Sequence, residues 1–143
     1  MNIASIIRQK GRSVVTCHED LPLSEVVRKL TEDNIGALVV TGADGAISGI
    51  ISERDVVHAL NSGGADVLSR PAADYMTRDV ITCTEHDTVV QVMTVMTQHR
   101  FRHLPVVTEG RLAGIVSIGD VVKQRIAEAE SEAEAMRNYI ATA

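Results

Sequence analysis

The chain repeats itself, and this internal repeat limits its possible folds more than any other feature of its 143 residues. Residues 14–57 align with residues 80–122, at an offset of 66 residues as far as the turn after the second strand and of 65 beyond it. The identical pairs include Thr16/Thr82, Cys17/Cys83, Glu19/Glu85, Val26/Val92, Leu38/Leu104, Gly49/Gly114, Ser52/Ser117 and Asp55/Asp120. A unit of this length can hardly bury one face of its own sheet, so we expect the two copies to pack together.

Each copy predicts the same order of elements, β-α-β-β-α. The first helix of each copy has apolar residues at the three-to-four spacing of an amphipathic helix, namely Leu23, Val26, Val27 and Leu30 in the first copy and Val89, Val92, Met93 and Met96 in the second. Thr88 and Gln91 have the spacing of a capping box. The predicted strands are Val14–Cys17, Ala37–Thr41 and Ile47–Ser52 in the first copy and Val80–Cys83, Leu104–Thr108 and Leu112–Ser117 in the second. Gly45 and Gly110 mark the turns between the last two strands of each copy.

The repeat predicts an α+β fold of two βαββα-like units, related by pseudo-two-fold symmetry, with the sheets inside and the helices outside. The first unit takes residues 1–62, including an N-terminal helix, and the second takes residues 76–125. Residues 63–75 form a linker that contains Gly63, Gly64 and Pro71.

The tail at residues 126–143 predicts a helix, because no glycine or proline interrupts the chain from Asp120 to Ile140. Its apolar residues have heptad spacing, and they are Ile126, Ala129, Ala133, Met136 and Ile140. Two interpretations stay open: the helix packs back on its own chain, or it pairs with a second copy in a homodimer.

Composition excludes several classes of protein. Aromatic residues make up 2% of the chain and the formal net charge is −5, which argues against a nucleic-acid-binding protein. Two cysteines are too few for a disulfide scaffold or a four-cysteine zinc site. No apolar run approaches the roughly 18 residues of a membrane span and the N-terminus lacks a signal-peptide pattern, so we expect a cytoplasmic protein without membrane contact.

Three segments carry a family resemblance: GIISERD at residues 49–55, GIVSIGD at residues 114–120 and RFRHLPV at residues 100–106. With the repeat, they resemble a pair of CBS domains, named for cystathionine β-synthase and together called a Bateman module. The chain is similar to the stand-alone bacterial proteins that consist of two such repeats. The resemblance implies a non-catalytic regulatory module without a catalytic cofactor. Its ligand would be an adenosine compound (AMP, ADP, ATP, NAD(H) or S-adenosylmethionine), and it would act as a homodimer on an unknown partner protein.

The segment from Ser52 to Asp55 suits a nucleotide. Ser52 is a good N-cap residue, and the carboxylate of Asp55 can accept two hydrogen bonds from the vicinal hydroxyls of a ribose. From the residues alone, the two side chains could equally do no more than cap the helix. The resemblance implies ribose and phosphate contacts for Ser52 and Asp55, and for their counterparts Ser117 and Asp120.

Phosphate requires cationic donors, and the basic phrase before the second copy's buried strand offers them. The resemblance implies phosphate contacts for Arg102 and His103, with Arg54 as a third. The alternative is that this phrase is only a solvated basic stretch.

In the family the pockets combine residues of both copies. Asp55 would share a pocket with Arg54, Arg102 and His103 and with the second opening strand, at Ile81 and Thr82. The other pocket would combine residues around Asp120 with the first opening strand, namely Ser117, Gly119, Thr16, Gly36 and Ala37. We therefore expect the Asp55 pocket to take the more phosphorylated ligand and the Asp120 pocket to bind more weakly or to prefer a less charged adenosyl group.

Three other functions compete with this interpretation. Cys17 and Cys83 occupy equivalent positions with His18 and His86 nearby, which would suit a metal or redox sensor, but buried cysteines are more often small core residues. No catalytic motif such as GxSxG or HExxH occurs. A structural adaptor that dimerises and binds no ligand is the remaining alternative.

Overall fold

The computed structural model describes residues 1–11 and 13–142, and in that part of the chain five helices accompany five strands. The helices are α1 Ile3–Lys10, α2 Leu23–Glu32, α3 Glu53–Gly63, α4 Val89–His99 and α5 Ile118–Thr142. The strands are β1 Thr16–His18, β2 Ala37–Thr41, β3 Ile47–Ser52, β4 His103–Thr108 and β5 Arg111–Ser117. The predicted mixed α+β architecture with two repeated units is confirmed.

The first copy builds a three-stranded sheet in the order β1-β2-β3. The central strand β2 runs parallel to β1 and antiparallel to β3. Its sequence ALVVT is apolar almost throughout because both of its faces are buried. β1 begins two residues later than the predicted strand, at Thr16.

The second copy builds a two-stranded antiparallel sheet from β4 and β5, and the predicted opening strand Val80–Cys83 does not form. Only Cys83 joins the sheet, through a parallel bridge to Val106. The reason is the path of the chain, since Thr77 still pairs with Ile50 in the first copy's sheet. The Val80 amide then bonds to the Arg78 carbonyl at 3.0 Å, and this turn leaves the chain little length to pair with β4.

Local details of the two copies match. Both hairpins have a register shift at equivalent positions, between Val40 and Thr41 and between Val106 and Val107. Both turns contain a glycine with positive φ, as the hairpin geometry requires. The predicted capping box of α4 is present, with Thr88 and Gln91 bonded reciprocally.

The linker packs against the first copy. It forms two 3-10 turns, at Gly64–Ser69 and Ala72–Asp74. The side chains of Val67, Ala72 and Met76 are buried in the first copy's core. The connection is therefore an ordered extension of that core.

Helix α1 precedes the first copy in sequence but packs on the second copy in space. Ile3, Ile6 and Ile7 are buried in one cluster with residues of α4, β4 and β5. Backbone bonds from the Ile3 amide to the Asp87 carbonyl, at 2.9 Å, and from Ala4 to Glu85, at 3.0 Å, hold its N-terminus there. Burial of each isoleucine contributes about 1.5–3 kcal/mol, so α1 is an integral part of the second core.

Helix α5 leaves the body of the protein after its first turns. Val121 and Gln124 are its buried residues, and every side chain from residue 129 to residue 142 is exposed. Met136, Tyr139 and Ile140 are 60–72% exposed. The described part of the tail beyond residue 128 is therefore not buried against its own chain, although Glu128 still lies 3.6 Å from the Met1 ammonium group; residue 143 lies outside the described residues. No helix in the described ranges is both long and apolar enough to cross a membrane.

Candidate functional site

A cavity of about 270 Å³ lies where the two copies meet. The first copy contributes the end of β3 and the start of α3, and the second contributes the loop between α4 and β4. Its lining residues are Gly36, Ile50, Ser52, Glu53, Arg54, Asp55, His58, Thr77, Arg100, Phe101, Arg102 and His103. The structure thus brings the predicted residues Ser52, Arg54, Asp55, Arg102 and His103 into one cavity, and their binding roles stay predictions.

Ser52 and Asp55 form a capping box at the start of α3. The Ser52 amide and hydroxyl donate to Asp55 Oδ2 at 2.8 and 3.1 Å, and the Asp55 amide donates to Ser52 Oγ at 3.3 Å. Both side-chain bonds that Asp55 accepts use the same oxygen. Its capping role is therefore compatible with a second role, in which the other oxygen accepts from a ligand hydroxyl.

The cavity carries more positive than negative charge. Arg54, Arg100 and Arg102 line it together with the carboxylates of Glu53 and Asp55. Two histidines add further donors. In a protein of net charge −5, a concave site with an excess of arginine favours an anionic ligand.

Arg100 was not among the predicted site residues, although it belongs to the basic phrase. It ends α4 with a left-handed backbone conformation, φ 58° and ψ 30°. The equivalent residue of the first copy, Asn34, has φ 51°. Asparagine tolerates this conformation better than arginine, so the second copy retains an unfavourable backbone at the edge of the cavity.

His103 lies at the centre of the site, against Gly36. A Cβ atom at position 36 would lie 3.0 Å from His103 Nε2, so the imidazole fills the space that a side chain would need. Gly36 was expected in the Asp120 pocket; that placement is wrong, because Gly36 lines the Asp55 cavity.

The pKa of His103 is lowered, which favours the neutral imidazole. Burial is the largest cause, and the charges of Lys10 and Arg102 act in the same direction. Glu53 and Asp120 oppose them. The pKa of His103 therefore depends on charges on both the Asp55 side and the Asp120 side.

The Asp120 side repeats the cap but adds a cation. The Ser117 amide donates to Asp120 Oδ2 at 2.9 Å, and the Asp120 amide donates to Ser117 Oγ at 3.1 Å. Lys10 Nζ also contacts Asp120 Oδ2, at 2.7 Å. Burial alone would raise the pKa of Asp120, but the hydrogen bonds from Lys10 and Ser117 and the lysine charge together lower it.

Sequence reasoning missed Lys10, because 110 residues separate it from Asp120 and only the packing of α1 on the second copy brings them together.

The remaining predicted residues do not line the cavity. Ala37 is buried and pairs with Ser52 in the β2–β3 ladder, but it is not among the residues that line the cavity. Thr16 lies on β1 with its carbonyl bonded to Lys29 Nζ at 3.3 Å. Ile81 is half-buried and Thr82 exposed, in the segment that fails to form a strand.

Other lining residues were missed for different reasons. His58 follows Arg54 by one helical turn on α3, and this spacing could have identified it. Thr77 reaches the cavity only because it pairs with Ile50 at 2.9 and 3.0 Å, which depends on the path of the linker. Phe101 lies beside the ring of His99, with centroids 6.1 Å apart.

The two cysteines lie in separate cores. Cys17 is buried in the first copy and Cys83 in the second. Burial raises the pKa of both thiols, that of Cys83 to about 12. Such thiols remain protonated and unreactive, which argues against the redox interpretation. Within residues 1–11 and 13–142, no group of three or more histidine, cysteine or acidic side chains is placed to hold a metal ion.

Comparison with known families identifies the repeat. The model of the CBS domain matches twice, at residues 6–62 and 72–126. A mitochondrial CBS domain-containing protein of Arabidopsis thaliana, CBSX3, is 35% identical over 146 aligned residues, which cover 96% of this chain and 71% of that protein. Hypoxic response protein 1 of Mycobacterium tuberculosis is 28% identical and is covered to 85% by the alignment, which takes in 86% of this chain.

Solved structures of CBS-domain proteins are similar to this chain as well. The CBS-domain containing protein ATU1752 from Agrobacterium tumefaciens is 46% identical and superposes with a TM-score of 0.84, over 87% of this chain and 92% of that one. The CBS domain pair of protein MJ0100, solved in complex with 5′-methylthioadenosine and S-adenosyl-L-methionine, is 26% identical with a TM-score of 0.79, over 90% and 98%.

Proposed function

Because the chain belongs to the CBS-domain family, we propose that it is a non-catalytic regulatory module that binds an adenosine nucleotide in the cavity between its two copies. The observation that carries this proposal is that residues of both copies line the cavity. Asp55 of the first copy and Arg102 and His103 of the second line the same space.

The ligand we propose is an adenosine phosphate, with AMP as the simplest case. Three arginines against two carboxylates favour phosphate over the cationic sulfonium of S-adenosylmethionine. The volume of about 270 Å³ lies near the lower end of small-molecule sites, which favours a mononucleotide over a dinucleotide such as NAD. The adenosine ligands of protein MJ0100 support the nucleoside part of this assignment.

Regulation would follow from the cross-copy cavity. A ligand that contacts α3 of one copy and the α4–β4 loop of the other stabilises one relative arrangement of the two copies. A partner protein that prefers this arrangement would then respond to the nucleotide. The identity of this partner and a cytoplasmic location stay predictions.

A homodimer is the assembly we propose. The exposed apolar residues Ile126, Met136 and Ile140 lie at heptad positions of α5. The side chains of residues 129–142 are exposed, and an isolated helix of about 14 residues is marginal in water. Pairing with α5 of a second copy would supply the missing contacts.

A thermal-shift panel on nucleotide-free protein tests the proposal. We expect AMP, ADP or ATP to raise the melting temperature and GMP to have little effect. A ligand at about 100 times its dissociation constant contributes about 2.7 kcal/mol. Asp55→Ala should reduce the shift to what the Asp120 side alone supplies, because it removes the carboxylate that would bind the ribose hydroxyls in this cavity.

The matched control is Thr88→Ala, which breaks the equivalent capping box of α4 outside the cavity. Both substitutions should cost about 0.5–2 kcal/mol of stability, so the two variants differ only in that Asp55→Ala shows the smaller ligand shift. If no adenosine compound stabilises the folded wild-type protein, the nucleotide proposal fails. The structural adaptor, which the exposed face of α5 favours, would then become the better interpretation.

A further inference from the structure

Lys10 is the last residue of α1, and its ammonium group lies beside Asp120 in the first turn of α5. Nζ donates to Asp120 Oδ2 at 2.7 Å and to the Ile115 carbonyl at 3.0 Å. The Lys10 side chain is 39% exposed and that of Asp120 is 26% exposed. The pair is thus partly shielded, but the lysine has room to move.

The equivalent aspartates therefore differ in their surroundings. Asp55 bonds to Ser52, and the described ranges record no ion pair for it. Asp120 has the same cap from Ser117 and an ammonium group in addition. The difference arises because α1 brings Lys10 to Asp120 on the second copy, whereas the linker takes the matching place on the first copy, with backbone bonds from Ala72 to Leu21 and from Ala73 to Glu19.

We propose that Lys10 makes the Asp120 side selective for adenosine ligands that carry a phosphate, by pairing with Asp120 in the free protein and with the phosphate in the complex. This inference rests on the proposed function, and it extends the ribose contact proposed for Asp55 to Asp120, which has the equivalent place in the repeat and the same cap. It reverses the expectation from sequence that this pocket prefers a less charged adenosyl group.

The selectivity follows from what happens to the lysine charge. A ribose whose hydroxyls donate hydrogen bonds to Asp120 must compete with Lys10 for the same carboxylate. A neutral nucleoside offers the displaced ammonium no new partner, and Arg102 and His103 nearby do not favour a free cation. A phosphate supplies that partner, and the flexible lysine stem can follow it while it still neutralises part of the Asp120 charge.

The test measures the Asp120 side alone, in an Asp55→Ala background, by isothermal titration with AMP and with adenosine. We expect AMP to bind at least about tenfold more tightly than adenosine, as a charge-assisted contact implies. Lys10→Met, which keeps the aliphatic stem, should remove most of this preference by weakening AMP. Lys10→Arg should retain the preference, because it keeps the charge.

The control is Lys123→Met, at an exposed position of α5, which should leave both affinities unchanged. Circular dichroism and melting curves establish that each variant folds, and Lys10→Gln replaces Lys10→Met if the latter does not. An unchanged AMP preference in the uncharged variant overturns this inference alone. The inference is also overturned if the Asp55→Ala variant binds neither AMP nor adenosine while the wild type binds AMP. Failure of the wild type to bind any adenosine compound overturns both proposals.

Discussion

At the scale of single residues, Arg100 combines an unfavourable backbone with a place in the cavity. Its positive φ is one that L-residues other than asparagine and glycine adopt at a cost of about 1 kcal/mol. The first copy has Asn34 at the equivalent position, where no arginine is needed. Strained residues of this kind tend to occur at functional sites.

We expect Arg100→Asn to increase the free energy of unfolding by about 0.5–1 kcal/mol, because asparagine relieves the backbone cost. The same substitution should weaken AMP binding, because it removes a cation from the cavity. Urea unfolding and isothermal titration measure the two effects.

The matched control for Arg100 is the reverse change in the first copy. Asn34→Arg should lower stability by a similar amount and leave AMP affinity unchanged, since Asn34 does not line the cavity. If Arg100→Asn left both stability and affinity unchanged, neither the strain nor the binding role assigned to Arg100 would hold.

At the scale of elements, α1 lies before the first copy in the sequence but packs in the core of the second copy. Ile7 is 1% exposed, and a Cβ at Gly114 of β5 would lie 2.6 Å from its Cδ1 atom. This close approach is possible only because residue 114 is glycine. The helix and the β4–β5 hairpin should therefore unfold together.

Ile7→Ala should lower the free energy of unfolding by about 3 kcal/mol, since it leaves a cavity in a closely packed core. Native-state hydrogen exchange should show faster exchange in β4 and β5 than in β2 and β3. Val57→Ala, at a side chain that is 64% exposed, is the control and should cost less than about 0.5 kcal/mol. Equal acceleration in both sheets would contradict the assignment of α1 to the second core.

At the scale of the whole molecule, the C-terminal part of α5 has apolar side chains that the single chain leaves exposed. Met136 and Ile140 lie on its heptad seam, and Asn138 lies on the opposite face. If the seams of two α5 helices paired, they would bury the apolar side chains that the monomer exposes.

Light scattering should find a dimer for the wild type, and Met136→Glu with Ile140→Glu should convert it to a monomer, because the charges would be buried in the seam. Asn138→Glu adds a charge to the same helix outside the seam and should stay dimeric. A monomeric wild type, or an unaffected seam variant, would show that α5 does not pair with a second copy.

Much of the architecture could be predicted because its causes are local. Apolar spacing located α2 and α4, buried apolar runs located β2 to β5, and the capping box of α4 follows from Thr88 and Gln91 alone. Repetition supported these assignments, since each of the elements occurs in both copies, but it misled for the opening strand Val80–Cys83. The family followed from the same repeated segments.

Local sequence patterns thus predicted most elements of each copy and five of the twelve residues that line the Asp55 cavity, because helix periods, turn glycines and caps act over a few neighbouring residues. Only the tertiary structure decided that α1 belongs to the second core, that the opening strand there is reduced to Cys83, and that Lys10 faces Asp120. These features depend on how the chain crosses between the copies. That path is set by packing and by available chain length over as many as 110 residues, which no local pattern records.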